Sequence, residues 1–476
     1  MIENLRIQNF KSWRDTGDMP FSKITGFFGP NSSGKTSILQ WLLLLKQTAE
    51  SPDLAHVLNF GDDRTYVNLG TFKDAIHHRY ANGAADVSSS QEAPSLDWSI
   101  RWELPKPLTV TNPESRGGIL FSPKKLAFYG SVRETGNKSA NRLVSQNFSY
   151  RFENDDALYA LGMERKRLDR NEYDLIHTNI DLKRTPGRVW PLPAPIKCYG
   201  FPAQAAGYYQ YAGFLPDFNL AFEELFGRVF YLGPLREYPQ RQYTWGGGQP
   251  PDMGRRGERV IDALLASRDR GEKISRGRGH LRATVEEYVA LWLRELGLIH
   301  SFAVEAITEG SNLYHVRVRK TASSPPVLIT DVGFGVSQVL PVLTLCFYVP
   351  EGSTIILEQP EIHLHPMVQA GLADVFIDAI HKRNIQIILE SHSEHLLTRL
   401  QRRIAEERIA SEDASLYFCE REESSASKLV PLELDLFGNI KNWPKDFFGD
   451  KFAERAAMIQ AEIKRKGKQK EKQLAT

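Results

Sequence analysis

The sequence predicts an α/β fold with a mixed sheet, an antiparallel β meander and a helical lobe. Short apolar runs at Ile24 to Phe28, Ile355 to Leu357 and Ile385 to Leu389 are typical of buried strands. The Leu-rich run from Ser37 to Leu45 is typical of a helix. From about residue 94 to 182, apolar and polar residues alternate, which indicates antiparallel strands. The pattern therefore predicts a core sheet interrupted by a meander.

The chain opens with a predicted strand at Leu5, Ile7 and Phe10, and a second predicted strand leads into a glycine-rich loop. This loop, Gly29 to Thr36 (GPNSSGKT), fits the pattern G-x-x-x-x-G-K-[ST] at every fixed position. Its glycines allow backbone N–H groups to face phosphates, and the following helix N-terminus favours anions. The sequence therefore predicts a nucleoside triphosphate site. Its predicted residues are Gly29, Pro30, Asn31, Ser32, Ser33, Gly34, Lys35, Thr36 and Ser37.

Composition sets wide limits. The 476 residues allow two or three domains or one enlarged domain, and the net charge of +2 says little about partners. Three distant cysteines, Cys198, Cys346 and Cys419, lack the spacing of a disulfide framework or a zinc site. No signal-peptide core is present, and no apolar run approaches the ~18 residues of a membrane span. We expect a cytoplasmic protein.

The alternating region carries aromatic residues at many apolar positions, such as Trp98, Trp102 and Phe148. They could form a base-stacking platform, but alternating aromatics usually mark the buried face of a sheet, and we favour core packing. The segment Pro186 to Gly213 is rich in Pro, Gly and Tyr and predicts little regular structure. Phe218 to Phe230 predicts a short helix that enters a strand.

A basic segment follows. Arg255 to Arg282 holds nine Lys or Arg residues against four Asp or Glu residues. This excess is typical of contact with a nucleic-acid backbone, although a solvated loop explains it equally well. Thr284 to Leu296 then predicts an amphipathic helix, and Tyr314, Val316 and Val318 predict a strand.

Further candidate site residues occur from residue 330 onward. Thr330 to Pro341 (TDVGFGVSQVLP) is a glycine-containing turn before a helix, which predicts either a second anion site or an ordinary capped helix. Glu358 ends an apolar strand, where a P-loop fold holds its Mg²⁺. His392 follows another strand and could face the γ-phosphate. A metal site formed by His363, His365, His392 and His395 is a weaker alternative.

These motifs, in this order, resemble the ABC-class ATPases of the SMC, RecF and OLD branch. LRIQNFKSW at the start and EQPEIHLHP after residue 357 are especially similar to that branch. YLGPLREYPQRQY (Tyr231 to Tyr243) and DLFGNIKNWPKDFFGD (Asp435 to Asp450) resemble a group of predicted bacterial AAA-type ATPases with a short C-terminal domain of unassigned function. Relatives of this kind occur in antiphage defence operons, as the ATPase of the Septu system does beside a nuclease.

The resemblance implies an SMC-head-like P-loop NTPase that binds ATP and Mg²⁺ between two chains. It assigns Mg²⁺ to Thr36 and Glu358, the signature turn to Gly333, Gly335 and Ser337, and the switch role to His392. The usual Leu-Ser-Gly-Gly-Gln signature is absent. The usual Asp-Glu pair reads Glu358-Gln359, so an amide replaces the general base, and Glu361 is the nearest substitute. The predicted catalytic residues are Glu358, Gln359, Glu361 and His392.

The predicted function is an ATPase sensor or motor of an antiphage complex, acting on DNA beside a nuclease or other effector. Three alternatives remain: a RecF-like repair ATPase, a nucleotide-gated scaffold with little turnover, and an OLD-like nuclease. The nuclease is disfavoured because the residues after His392 lack a Glu and Asp-x-Asp cluster. The predicted divisions are core halves at 1–80 and 326–420, an insertion at 81–325, a small domain at 421–463 and a basic tail at 464–476.

Overall fold

The computed structural model describes residues 1–77, 94–111, 118–135, 142–167, 171–187, 191–275, 277, 279, 281–422, 426–444, 458 and 460. The predictions for the tail at 464–476, for Arg276 and Arg278, and for residues 445–450 lie outside this set.

The strands are Ile2–Phe10 (β1), Trp13–Asp15 (β2), Met19–Pro20 (β3), Ile24–Phe28 (β4), Ser95–Glu103 (β5), Val110–Thr111 (β6), Ile119–Phe121 (β7), Lys125–Thr135 (β8), Arg142–Asn154 (β9), Ala157–Arg165 (β10), Tyr173–Thr178 (β11), Val229–Leu232 (β12), Tyr243–Thr244 (β13), Lys273–Ile274 (β14), Ala283–Thr284 (β15), Ser301–Ala306 (β16), Leu313–Arg319 (β17), Val327–Leu328 (β18), Thr354–Glu358 (β19), Gln386–Glu390 (β20), Ala414–Arg421 (β21) and Ser427–Pro431 (β22). The helices are Lys35–Glu50 (α1), Phe72–Ala75 (α2), Ala203–Tyr208 (α3), Leu215–Gly227 (α4), Val260–Asp269 (α5), Val285–Glu295 (α6), Phe334–Tyr348 (α7), Pro366–Arg383 (α8) and Glu394–Ala405 (α9).

The core sheet has the strand order β12-β19-β20-β4-β21-β22. Its strands run parallel as far as β21, and β22 returns antiparallel. Every residue of β4, β19 and β20 is buried because both faces of the sheet are covered. Ile356 and Ile388 face the cluster that contains α1, whereas Ile355 and Ile387 face the cluster that contains α7 and α8. The predicted mixed α/β architecture is confirmed.

The second sheet is the predicted meander, in the order β11-β10-β9-β8-β5-β1-β2 with β3 beside β1. Its alternating aromatic residues point inward: Trp98 packs on Trp41 of α1, with ring centroids 5.3 Å apart. Phe128 packs on Phe222 of α4 at 5.0 Å. These rings belong to a buried core, so the base-stacking interpretation of the alternating aromatics is wrong for them.

The strands of the two sheets do not follow the predicted domain boundaries. Strand β1 pairs with β5, so the meander grows directly from the first strand. Strand β12, inside the predicted insertion, is an edge strand of the core sheet. Strand β22, inside the predicted C-terminal domain, also joins that sheet. The nucleotide core is thus assembled from five separated parts of the chain.

The basic segment is not a solvated loop throughout. Its first half forms α5, in which Ile261, Leu264 and Leu265 are buried in the core. Strands β14 and β15 then pair as a short antiparallel ladder. Thr284 begins α6 with a capping box, in which its side chain accepts from the Glu287 N–H at 3.2 Å. None of the helices in the described ranges is both long and apolar enough to cross a membrane.

Candidate nucleotide-binding site

The glycine-rich loop connects β4 to α1 and borders a cavity of about 550 Å³. Asn31 through Ser37 line this cavity together with Gln359, Glu390 and His392. Helix α1 begins directly after Gly34, so its free N–H groups lie at the cavity wall. A wall of backbone donors at a helix N-terminus fits a phosphate chain.

The loop is held in shape by its neighbours. Gly34 has a φ of 94°, and a Cβ there would lie 2.6 Å from Ser427 Oγ and 2.7 Å from Ser12 Oγ. The Trp13 indole N–H donates to the Gly34 carbonyl at 3.0 Å. At Gly29, a Cβ would lie 2.2 Å from the Cys419 carbonyl oxygen. Glycine is therefore required at both positions by conformation and by close approach.

Lys35 is buried at the base of the loop. Its Nζ donates to the carbonyl oxygens of Pro30 at 2.8 Å and Gly29 at 3.1 Å. It also lies 3.8 Å from Glu390 Oε1. Burial lowers the Lys35 pKa, and the nearby Glu390 carboxylate opposes that shift. The ammonium is thus held against the loop by three oxygen atoms.

Two carboxylates lie at the same edge of the core sheet. Strands β19 and β20 both end in Ile-Ile-Leu-Glu, and Glu358 is the register partner of Glu390. Strand β20 separates β19 from β4, so Glu390 is the carboxylate nearer to the loop. The Thr36 hydroxyl donates to Glu390 Oε2 at 2.7 Å. Glu390 thereby joins Thr36 and Glu358 as a candidate Mg²⁺ ligand, and the Mg²⁺ role of Thr36 and Glu358 stays a prediction.

Glu358 is instead held by Tyr231, whose hydroxyl donates to Glu358 Oε1 at 3.1 Å. Burial, and then the Glu390 charge, raises the Glu358 pKa to about 7. Burial also raises the pKa of Glu390, while the Thr36 hydroxyl and Lys35 lower it. Mg²⁺ prefers hard oxygen ligands. The Thr36 hydroxyl and these two carboxylates fit that preference and would hold the ion, which would neutralise phosphate charge.

Replacing Glu358 with Gln should stabilise the metal-free, nucleotide-free protein at pH 8 but not at pH 5. The pKa of Glu358 is raised from 4.5 in the unfolded chain to about 7 in the folded protein. Between these two pH values the folded carboxyl keeps its proton, whereas the unfolded one has lost it. The contribution of the Glu358 carboxyl to the free energy of unfolding is fully present below pH 4.5, and it is lost as the pH rises through 7. The loss is about 3 kcal/mol, because one pKa unit corresponds to about 1.4 kcal/mol.

Thermal unfolding in EDTA at the two pH values measures this effect. Glu153→Gln, on the exposed side of β9, serves as the control. An equal change at both pH values in Glu358→Gln would mean that the carboxyl does not titrate in this range.

Gln359 and Glu361 occupy different positions around the cavity. Gln359 has a φ of 43°, a conformation unusual for a residue other than glycine, and its side chain lines the cavity. Glu361 does not line it. Its Oε1 accepts from Ser391 Oγ at 2.8 Å and from the His392 N–H at 2.7 Å. Glu361 thereby ties the loop after β19 to the loop after β20.

His392 lies at the cavity wall, where the sequence predicts it. Burial, and then the Lys35 charge, lowers its pKa, which favours the neutral imidazole. A neutral ring can donate one hydrogen bond toward a phosphate oxygen. Within the described ranges, no group of three or more His, Cys, Asp or Glu residues is arranged to hold a metal ion.

The signature-like turn is not part of the cavity beside the glycine-rich loop of its own chain. Gly333 precedes α7 as its N-cap, and the Ser337 hydroxyl donates to the Phe334 carbonyl at 2.8 Å. Gly333, Gly335 and Ser337 do not line the cavity beside Lys35. Their assigned role in nucleotide binding therefore stays a prediction that needs a second chain.

Five cavity residues were not identified from the sequence as site residues. Lys11 and Ser12 line the cavity from the turn after β1, Asp74 lines it from α2 and Arg421 from β21, and Glu390 contacts Thr36. The repeated Ile-Ile-Leu-Glu ending was the available signal for Glu390, since the carboxyl ends of parallel strands share an edge. Lys11 and Ser12 lie in the string LRIQNFKSW, which was assigned no site role, whereas Asp74 and Arg421 belong to no motif and are placed at the cavity only by the fold.

Three family models match the chain. Residues 1–187 match an AAA ATPase domain, and residues 262–398 match an AAA domain described as a putative AbiEii toxin of a type IV TA system. Residues 409–457 match a protein family of unknown function, DUF3696. No curated protein matches the chain.

Among solved structures, the chain is similar to an SMC head bound to the C-terminal winged-helix domain of ScpA, at 11% identity and a TM-score of 0.45, covering 91% of this chain and 98% of that one. It is also similar to the SMC head domain from Thermotoga maritima, at 12% identity and a TM-score of 0.39, covering 91% and 99%. The glycine-rich loop and both acidic strand ends lie inside the two AAA matches. The two stretches that build the candidate site are thus both similar to AAA-type ATPase domains.

Proposed function

We propose that this protein is an ATP-gated switch in which two chains enclose two ATP molecules and hydrolyse them slowly. The observation that carries the proposal is the separation of the two halves of the site. The cavity contains Lys35, Thr36 and Gln359, whereas the signature-like turn at Gly333 lies elsewhere on the chain. A turn that lies outside its own chain's cavity is available to contact the nucleotide of a second copy.

Slow hydrolysis follows from the residue beside the phosphates. Gln359 lines the cavity at the position where the resemblance places a general base. An amide can orient water but cannot accept its proton, and general-base help is worth about 10² to 10⁴ in rate. The ATP-bound pair of chains should therefore be long-lived, which suits a sensor better than a processive motor.

ATP with Mg²⁺ should convert the protein from a smaller to a larger assembly. A charge on the signature face, which is the surface around Gly333 to Ser337, should prevent this conversion. Phe334 is 42% exposed at the start of α7. Phe334→Asp should keep ATP binding to the single chain but abolish association, because a carboxylate there would be buried without a partner. Light scattering with and without ATP measures the mass.

Leu158→Asp is the matched control, since Leu158 is exposed by 52% on the meander, away from the site. It should associate as the wild type does. An unchanged mass of the wild type with ATP, even at high concentration, would refute the two-chain site.

We further propose that the complex serves antiphage defence and acts on DNA beside a nuclease or other effector. The likeness of Tyr231 to Tyr243 and of Asp435 to Asp450 to bacterial ATPases with a short C-terminal domain supports this setting, because relatives of that kind occur in antiphage defence operons. The basic segment supports contact with phosphates. Absence of duplex DNA binding by the wild type at low salt would remove the DNA part.

A nucleotide-gated scaffold with little turnover is the second candidate, because Gln359 favours it. Measured turnover separates the two. A wild type that associates with ATP but has the same hydrolysis rate as Lys35→Ala would be a scaffold.

A further inference from the structure

Arg236 lies on the segment that follows β12, and it is buried with only 4% of its surface exposed. Its neighbours on the segment behave differently, since Leu235 is 66% and Tyr238 is 67% exposed. The segment is held by the Gly233 N–H, which donates to Arg255 O at 2.7 Å, and by the Glu237 N–H, which donates to Arg256 O at 2.9 Å. The fold thus turns one guanidinium inward from an otherwise exposed segment.

The guanidinium has no protein partner. Its Nε, Nη1 and Nη2 are all buried, and none forms a hydrogen bond with a described residue. Burial lowers the Arg236 pKa to about 10, and the nearby Tyr231, Glu358 and Glu361 oppose that shift. Oε2 of Glu361 is also buried without a hydrogen-bond partner. Five donors and one acceptor of opposite charge therefore lie in the same interior region without pairing.

A buried charge without a partner is costly, and a guanidinium–carboxylate pair relieves that cost through charge-assisted hydrogen bonds. The other oxygen of Glu361 already holds Ser391 and the backbone of His392. A contact between Arg236 and Glu361 would consequently fix the position of His392, which lines the cavity. The segment also reaches the signature face, because the Tyr238 ring lies 5.8 Å from the Phe334 ring.

We propose that Arg236 is a positioning residue that pairs with Glu361 when the ATP-bound site closes, and so sets His392 against the γ-phosphate. The proposal rests on the proposed ATPase function, and it adds a specific open and closed state to it. In the open state described by the structure, Arg236 is buried and unpaired. In the closed state it is paired, and turnover depends on it.

Arg236→Met tests the proposal, because methionine fills a similar volume without the charge. Without nucleotide, Arg236→Met should unfold at a higher temperature than the wild type, since an uncompensated buried charge has been removed. With ATP and Mg²⁺, kcat should fall about tenfold or more, the size expected when a charge-assisted hydrogen bond is lost from the transition state. The ATP Kd should change less than about twofold, because Arg236 does not line the cavity.

The partner is tested by a double-mutant cycle with Glu361→Gln. If Arg236 acts through Glu361, the double variant should lose no more kcat than the more damaging single variant. Arg236→Lys, which keeps the charge, should restore part of kcat. Arg256→Gln is the control, because Arg256 lies on the adjacent segment with its side chain 40% exposed and paired with Glu237.

Independent, additive losses of kcat would overturn the pairing of Arg236 with Glu361. A lower unfolding temperature for Arg236→Met than for the wild type, without nucleotide, would overturn the claim that Arg236 is unpaired in the open state. If the wild type does not hydrolyse ATP, the proposed function fails, but the unfolding temperature still reports on Arg236. In that case ATP should raise the unfolding temperature of the wild type more than that of Arg236→Met. An equal rise in the two proteins would overturn the closed state.

Discussion

Replacing Lys35 with Ala should lower the affinity for ATP about a hundredfold or more, because at least one charge-assisted hydrogen bond of about 1.5–3 kcal/mol to the phosphates is lost together with the ion's charge. Lys35 Nζ lies at the base of the loop, where it contacts two loop carbonyls and Glu390. The substitution also leaves Glu390 beside Glu358 without its nearest cation. We therefore expect the variant to be less stable at pH 8 than at pH 5. Isothermal titration with ATP on folded protein measures the affinity.

Lys46→Ala is the matched control for this experiment. Lys46 is another buried lysine on α1, and it pairs with Glu50 far from the cavity. Its loss should affect stability but leave ATP affinity unchanged. Unchanged affinity in Lys35→Ala would show that the nucleotide binds elsewhere.

Replacing Gln359 with Glu should accelerate ATP hydrolysis by about 10² to 10⁴, the usual contribution of a general base. Gln359 already lines the cavity, so the new carboxylate would stand where the attacking water is activated. Glu358 and Glu390 lie nearby, and their charges should raise the pKa of the added carboxyl toward neutrality, where a base is most effective. Steady-state phosphate release at saturating ATP measures the change.

Two further variants complete this series. Gln359→Ala should hydrolyse more slowly than the wild type, because it can no longer orient water. Glu361→Gln reports on the alternative base: complete loss of turnover, with no effect of Gln359→Glu, would make Glu361 the base. Fast wild-type turnover that none of the three substitutions changes would place the catalytic centre elsewhere.

The parts of the site that could be predicted from sequence are those set by short-range patterns. Gly29 to Thr36 fixes a loop between a strand and a helix, and the loop is found there. Glu358 and His392 follow apolar runs, so their placement at strand ends needed only local reasoning. The alternating aromatics likewise predicted a buried sheet face from period alone.

The remainder depends on the order of strands in the sheet, which no local pattern contains. Glu390 contacts Thr36 because β20 lies between β19 and β4. Arg236 is one of two arginines in the segment Tyr231 to Tyr243, and nothing in that string distinguishes the buried Arg236 from Arg241. The basic composition of 255–282 concealed α5, because the largely buried run from Val260 to Ser267 lies between arginines at 255–259 and 268–270.

The position of β4 in the core sheet also decides when the protein can become active during its synthesis. Strand β4 is made early, but both of its neighbours, β20 and β21, begin after residue 385. Thr36 and Glu390 are 354 residues apart, so the ribosome needs roughly 20 to 70 seconds to join them at about 5–20 residues per second. Strands β5 to β11 emerge in that interval: β5 and β8 to β11 join β1, which is already made, and β6 pairs with β7. The nascent chain can thus build the meander first, and it acquires the nucleotide site only after β20 and β21 have been translated.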